Sequence, residues 1–329
     1  MGIAVSYHDT VTKLQGLERF ARGPFDRTNW FGLLCNAADA PLVVVAEDET
    51  EMVAMPLMQT RHGLHSLTNW FSFTWRPLGG TGPAQSNLLE AIAADLRAHA
   101  NRVVLSPLPD EDGTASRLET AFRERGWLVF REVCDENHIL PVQNRDFAEY
   151  WTNRPGKMRT TLKRKAKNVD VEILTRFDDF AWHDYQAVYA ESWKPEEERS
   201  DVLELFARAE GESGRIRLGI ARAGGVPVAA QFWTVDGGTA YIHKLAHTQS
   251  ASNLSAGTTL SAALFEHVID IDRVDLVDFG TGTDAYKRDW MEDVRLRYRL
   301  TCLNWRKPKS WPAIVKAVAR RLAPRHGPR

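Results

Sequence analysis

Cysteine is scarce in this chain: Cys35, Cys134 and Cys302 are the three among 329 residues. Their odd number and wide spacing exclude a disulfide framework and the paired spacing of a zinc site, so no metal is expected. Long apolar runs are missing too, and nothing approaches the roughly eighteen residues of a membrane-spanning helix. The first residues, MGIAVSYHDT, lack both the basic and the apolar region of a signal peptide. These absences predict a cytoplasmic protein, at most peripheral on the inner face of the membrane. Net charge is almost absent, at −1, which counts against general nucleic-acid binding, so no DNA partner is expected.

Hydrophobic residues make up 43% and charged ones 26%, the composition of a soluble globular protein, and the length suffices for two domains. The charge is unevenly spread. Between Arg154 and Asn168 there are seven Lys or Arg and no acid, and from Arg306 to Arg329 eight and again no acid. The first stretch puts Met158, Leu162 and Ala166 on one helical face, with cations elsewhere. It reads as a solvated face or as a funnel for an anionic substrate or membrane. The second carries Trp311, Ile314, Val315, Val318 and Leu322 at helical spacing, with Lys316, Arg320 and Arg321 interleaved. Such a helix can lie on an anionic bilayer or pack back on the body.

Periodicity shows one order of elements written twice. In the first half, a strand at 3–7 and two helical stretches within 11–37 precede strands at 41–47, 52–61 and 64–69. The loop PLGGTGP then leads to a helix at 87–100, a strand (RVVLSPL), a helix at 114–126 and closing strands at 127–140. In the second, a strand at 169–174 and helices at 180–193 and 199–210 precede strands at 216–223, 226–235 and 239–246. A helix from about 258 to 270, the strand VDLVDF and a closing segment, RLRYRLTCLNW, complete the repeat. This order resembles the GNAT N-acyltransferase fold, an α/β fold built on a mixed sheet, in tandem. The expected organisation is a degenerate GNAT-like domain at 1–143, a GNAT acyltransferase domain at 144–306 and a basic amphipathic tail at 307–329.

Four stretches of the second half carry chemistry. In NLSAGTTL (253–260), Ser255, Ala256 and Gly257 are small residues where a loop becomes a helix, and Thr258 follows. A helix N-terminus with small side chains lets phosphate approach unpaired N–H groups, although a plain Ser cap has the same spelling. In AYIHKLAH (240–247), His243 and Lys244 sit in mid-strand, where burial without a cleft would be costly. His243 is a candidate general base, because imidazole titrates near neutrality. YAESWKPEEE (189–198) places Glu191, Trp193 and Lys194 at a helix end terminated by proline. DFGTGTDAYKRDWM (278–291) crowds Asp278, Tyr286 and Lys287 directly after a buried strand.

Taken with YWTNRPGKMRTTLKRKAKN, these stretches resemble the GNAT acetyltransferases associated with bacterial cellulose and exopolysaccharide biosynthesis. That family is related to the Fem-type aminoacyltransferases, which are also tandem double-GNAT proteins. The match covers about 145–305, and the first half matches only in its order of elements. The resemblance implies acyl-CoA or acetyl-CoA as donor, held at Ser255, Ala256, Gly257 and Thr258, and an amine acceptor between the two halves. It implies direct attack on the thioester, with Glu191 or His243 taking the proton, Asp278 ending the strand beside the donor helix, and Tyr286 protonating the thiolate. Trp193, Lys194, Lys244 and Lys287 would contact substrate. The acceptor is expected to be an envelope precursor: an amino sugar, a sphingoid or other amino-lipid, or a peptide amine. Two rivals remain open: a Fem-like transferase using aminoacyl-tRNA through the basic 154–168 segment, and a non-catalytic scaffold of envelope or polysaccharide assembly.

Overall fold

The computed structural model describes residues 2–38, 40–80 and 82–322. The chain forms two compact units, one holding the residues up to Asp135 together with those from Leu296 on, the other Glu136–Arg295.

The first unit opens with β1 (Ala4–His8), a 3-10 segment over Thr12–Phe20 and α1 (Thr28–Ala37). Strands β2 (Pro41–Glu47), β3 (Met52–Thr60), β4 (Gly63–Ser66) and the short β5 (Leu78–Gly79) follow, then α2 (Pro83–His99), β6 (Arg102–Leu108) and α3 (Thr114–Glu124). Strands β1 to β4 pair antiparallel in sequence order, and β4 meets β6 in parallel. Helix α2 starts four residues before the expected Asn87, because Pro83 has the φ of a first helical turn and no N–H to leave unpaired there. Strand β7 (Leu128–Pro141) begins in this unit and ends in the next.

The second unit contains α4 (Phe147–Thr152), α5 (Gly156–Lys165), β8 (Asp170–Leu174), α6 (Asp179–Ala190) and α7 (Ser200–Glu212). Strands β9 (Ile216–Ala223), β10 (Val226–Asp236) and β11 (Thr239–His247) then lead to α8 (Ala256–Glu266), β12 (Leu276–Thr281) and α9 (Lys287–Trp290). Strands β8 to β11 run antiparallel in order, β11 pairs β12 in parallel, and the end of β7 closes against β12. Gly224 and Gly225 (φ 57° and 84°) and Gly237 and Gly238 (φ 52° and 74°) turn the two hairpins. Both pairs supply the positive φ that two-residue hairpin turns need.

The last strand, β13 (Asp293–Leu303), departs from expectation. Its segment Tyr298–Leu303 pairs antiparallel with β6, and so completes the first unit rather than the second repeat. Leu300, Cys302 and Leu303 are wholly buried there. An alternating strand shows which face is buried but not which sheet edge it joins, so the exchange has no local signature. Helix α10 (Trp311–Leu322) follows in the same unit, with Trp311, Val315 and Val318 exposed. The tail beyond Leu322 lies outside the described residues. Among the described residues, no helix is long and apolar enough to cross a membrane.

Phe265 of α8 centres the second core. It stacks on Trp290 at 4.9 Å and on Tyr150 at 5.4 Å, with Trp233 edge-on at 5.2 Å. Trp290, read in sequence as part of a functional stretch, is therefore a core residue. Close packing also governs Gly211, near the end of α7: a Cβ there would lie 2.5 Å from the backbone nitrogen of Phe177. Helix propensity alone would make Gly211→Ala stabilising by up to about 1 kcal/mol. We expect the reverse, a loss of about 1–3 kcal/mol in urea unfolding, because a backbone atom cannot step aside as a side chain can.

Candidate donor and acceptor site

Parallel strands β11 and β12 pair only where Thr239–Tyr241 face Leu276–Asp278. Beyond that point β11 continues to His247 and β12 to Thr281 with no further pairing between them. The strands part, and their separated edges leave backbone groups for an extended ligand.

The loop after β11 carries the chain to the N-terminus of α8. Ser255 adopts the left-handed conformation (φ 55°, ψ 35°), and no side chain caps the helix. The first N–H groups therefore lack helical acceptors, and the positive end of the dipole is open. Lys165, at the end of α5, donates to the carbonyl of Asn253 and lies 3.3 Å from Ser255 Oγ. From below, Gln231 Nε2 donates to Ser261 Oγ at 2.7 Å and to the Gly257 carbonyl at 3.3 Å, while Trp233 Nε1 donates to Gln231 Oε1 at 2.9 Å. Ala256 is buried, and a Cβ on Gly257 would meet only the His247 ring, at 3.6 Å. Small residues, an uncapped helix start and one added cation are what a pyrophosphate requires.

A cluster of charged and aromatic side chains lies alongside. Trp193 packs on the His247 ring at 4.4 Å, and Lys194 Nζ is 5.9 Å from the Trp193 ring centre. Lys244 forms a buried ion pair with Glu197 at 2.9 Å, and Tyr185 donates to the same carboxylate at 3.2 Å. Burial, then the nearby Lys244 charge, push Lys194 down to about 8 against the opposing pull of Asp284 and Glu197. Lys287 is buried, donates to the Thr281 carbonyl and lies over the Phe279 ring. Tyr286, edge-on to Phe279, is pushed up to about 12 by burial and by Asp284.

The remaining sequence candidates lie apart from this cluster or serve the backbone. His243 is pushed down to about 3, first by burial and then by Lys244. Its ring stacks on Phe232 and meets Phe206 edge-on, with Nε2 at 2.8 Å from Thr234 Oγ1. Held so, it is a poor base, because desolvation disfavours the imidazolium. Glu191 is exposed at the end of α6, with its backbone carbonyl accepting from Gln249. Asp278 accepts from the Gly280 N–H at 2.7 Å and from Asn137 Nδ2 at 3.1 Å, which shapes the turn at Gly280 (φ 70°). Sequence reasoning passed over Lys165, Gln231, Glu197 and His247. Glu197 carried no signal, standing between Glu196 and Glu198. Among the described residues, no three of His, Cys, Asp or Glu gather as a metal site would require.

Residues 156–288 match the family described as Acetyltransferase (GNAT) domain. The second unit carries a GNAT domain. The tandem arrangement is shared with solved structures at identities that speak for fold alone. One is the DUF2156 C-terminal domain of a proposed lysylphosphatidylglycerol synthetase from Agrobacterium fabrum. It is 12% identical, with a TM-score of 0.60 over 94% of this chain and 96% of that one. FemX is 8% identical, with a TM-score of 0.63 over 92% and 98%. A tandem GNAT protein from the clavulanic acid biosynthesis pathway is 12% identical, with a TM-score of 0.50 over 91% and 98%. No curated protein matches the sequence. The chain is a mixed α/β protein of tandem GNAT folds.

Lys194 offers a direct check on the acceptor side. In reductively methylated protein, the carbon resonance missing from Lys194→Arg should titrate with a midpoint near 8. Lys244→Met should move that midpoint upward, since it removes a repelling cation and releases Glu197 toward Lys194. A midpoint at the ordinary value of about 10.4 would place Lys194 in open solvent and outside the site.

Proposed function

We propose that the second unit transfers an acyl group from acyl-CoA to a primary amine of a cell-envelope precursor, by direct attack and without a covalent enzyme intermediate. The observation that carries this is the uncapped start of α8, with Lys165 beside it, where β11 and β12 part. The envelope assignment draws on the names of two neighbours, FemX and the lysylphosphatidylglycerol synthetase domain.

Acyl-CoA supplies an activated thioester; the chain supplies orientation and proton traffic. Backbone N–H groups of Ala256, Gly257 and Thr258, with Lys165, hold the pyrophosphate. The separated edges of β11 and β12 hold the amide-bearing arm in extended form. Trp193 offers a face for the acceptor, an amino sugar, an amino-lipid or a peptide amine. Lys194 is the proton acceptor that the geometry favours over His243 and Glu191, because it is partly neutral near pH 8 and lies within the cluster. Tyr286 keeps its proton at neutral pH, which suits it to protonate the departing thiolate. Lys287 and Asp278 hold the loop between them, and Lys244 with Glu197 sets the charge around Lys194. The exposed stripe Trp311, Val315 and Val318 suits peripheral contact with an anionic membrane.

One observation favours a second reading. Lys157, Arg159, Lys163, Arg164 and Lys167 are exposed on and just after α5, a face that suits an aminoacyl-tRNA donor. Stabilisation against heat by CoA supports the first reading; stabilisation by tRNA and not CoA supports the second; neither leaves a scaffold.

Two substitutions test the donor and the acid separately. Gly257→Val fits beside His247 without distorting the fold but fills the approach to the helix start. Calorimetry should show CoA affinity falling at least tenfold, about 1.4 kcal/mol, in a protein that still unfolds normally. Unchanged affinity would remove this loop from the site. Tyr286→Phe keeps the edge contact with Phe279 and loses only the hydroxyl. It should lower kcat roughly ten- to a thousandfold with CoA affinity retained. Wild-type turnover across the pH range would make the tyrosine a packing residue.

A further inference from the structure

The first unit contains a second chemically distinctive place, separate in composition from the donor loop. A cavity of about 1000 Å³ opens on one face of its sheet, lined by His65, Arg102, Ser106, Arg131, Arg299 and Thr301 among others. Strand alternation explains the shared face: Arg102 and Ser106 are an even step apart on β6, as are Arg299 and Thr301 on β13, with Thr301 opposite Val104 and Val104 opposite His65. Helix α10 closes the cavity with Ala313, Lys316, Ala317 and Arg320.

Charge is the unusual feature. Five cations, Arg102, Arg131, Arg299, Lys316 and Arg320, converge against one lining acid, Glu132. Arg299 pairs with Glu132 at 3.2 Å, and Arg131 with Asp110 at 2.7 Å. Among the described residues, no ion pair holds Arg102, Lys316 or Arg320. Arg102 Nε and His65 Nε2 are buried without a hydrogen-bond partner. Burial, then the charge of Arg102, lower the pKa of His65, consistent with a positive potential in the cavity.

The helix is also turned against the usual rule. Its apolar residues Trp311, Val315 and Val318 are exposed, while Lys316 and Arg320, which also reach solvent, line the cavity with the cations of the sheet. Like charges brought together in a partly desolvated space repel, and an anion among them reverses the sign. A smaller cavity of about 210 Å³ in the same unit shows the contrast. There two acids, Asp26 and Asp112, line the wall with four arginines and hold Arg22 and Arg76 in ion pairs.

We propose that this cavity binds a phosphate-bearing organic anion, its phosphate held by Arg102, Lys316 and Arg320. Guanidinium forks grip phosphate oxygens bidentately, and Lys316 adds a point charge. The volume lies at the upper end of small-molecule pockets and exceeds what a bare phosphate needs. Phe130 and Leu303 offer apolar wall, and Ser106 and Thr301 hydroxyls, to the organic part. The same phosphate chemistry is found on a soluble metabolite and on a lipid headgroup.

Inorganic pyrophosphate is the probe, titrated calorimetrically into the full chain, Gly257→Val, Lys316→Gln/Arg320→Gln and all three substitutions together. Lys316 and Arg320 are exposed on a surface helix, so the double variant should fold, which circular dichroism checks. In the Gly257→Val background, where the donor loop is silenced, the double variant should bind pyrophosphate at least tenfold more weakly. Arg102→Gln should do the same, and the His65 ring resonance should shift during titration of Gly257→Val. Sedimentation with phosphatidylcholine vesicles containing phosphatidic acid identifies the source. Pelleting that pyrophosphate reverses points to a headgroup, and pyrophosphate binding without pelleting points to a soluble ligand. Equal pyrophosphate affinity with and without the double substitution overturns the proposal, as does binding to neither pyrophosphate nor vesicles.

Discussion

A helix start that binds an anion has to stay uncapped, and an uncapped start has to be held by something else. Gln231 does this in the second unit. Its amide nitrogen reaches Ser261 and the Gly257 carbonyl, and its oxygen takes the indole proton of Trp233. The amide thereby fastens the first turn of α8 from below while the outer N–H groups stay open. Trp233 in turn meets Phe265 edge-on, and Phe265 lies between Tyr150 and Trp290. The loop proposed to hold the donor is thus anchored in the aromatic core. Buried amides tolerate this only when satisfied, which makes the Gln231 network demanding as well as rigid.

On the acceptor side the ordering principle is charge balance in a shielded place. Lys194, Lys244 and Lys287 share their surroundings with Glu197 and Asp284. Pairing Lys244 directly with Glu197 satisfies one cation and leaves Lys194 with less compensation. Burial first, and then that asymmetry, separate a structural lysine from one suited to exchange a proton. His243 shows the opposite outcome on the same strand, where aromatic packing and a threonine hydroxyl hold a neutral ring.

Much of this could be read in the sequence, and the failures have physical causes. Glycine pairs, β-branched runs and helical periodicity marked the elements, since each reports local backbone geometry. The junction itself was legible because small residues where a strand, loop and helix meet mark a helix start, which the structure has at Ala256. Lys165 was not, because a cation aimed at a loop ninety residues on is spelled like its solvated neighbours. His243 was overvalued because alternation shows that two side chains share a face, not whether that face holds substrate or phenylalanine. The destination of β13 was invisible for a related reason: strand pairing is a long-range choice.

The two repeats share a fold but differ where phosphate would bind. In the first unit the loop before α2 is drawn into β5, which pairs with β3 through Val53 and Ala54. The carboxylate of Glu51 lies against Gly80, in the volume that any side chain there would fill. Helix α2 then begins at a proline, so one of the first N–H groups is missing. A carboxylate in the loop before the helix repels a second anion, and the absent N–H removes a donor for it. One repeat thus has Lys165 and open N–H groups at its helix start, and the other has Glu51 in the loop before the helix and a proline at its first position. Five of the first unit's cations gather instead beneath α10, where Glu132 is the one acid of the lining. On one framework, the two units thus set their cations for an anion on different surfaces: at a helix start in one, beneath a helix in the other.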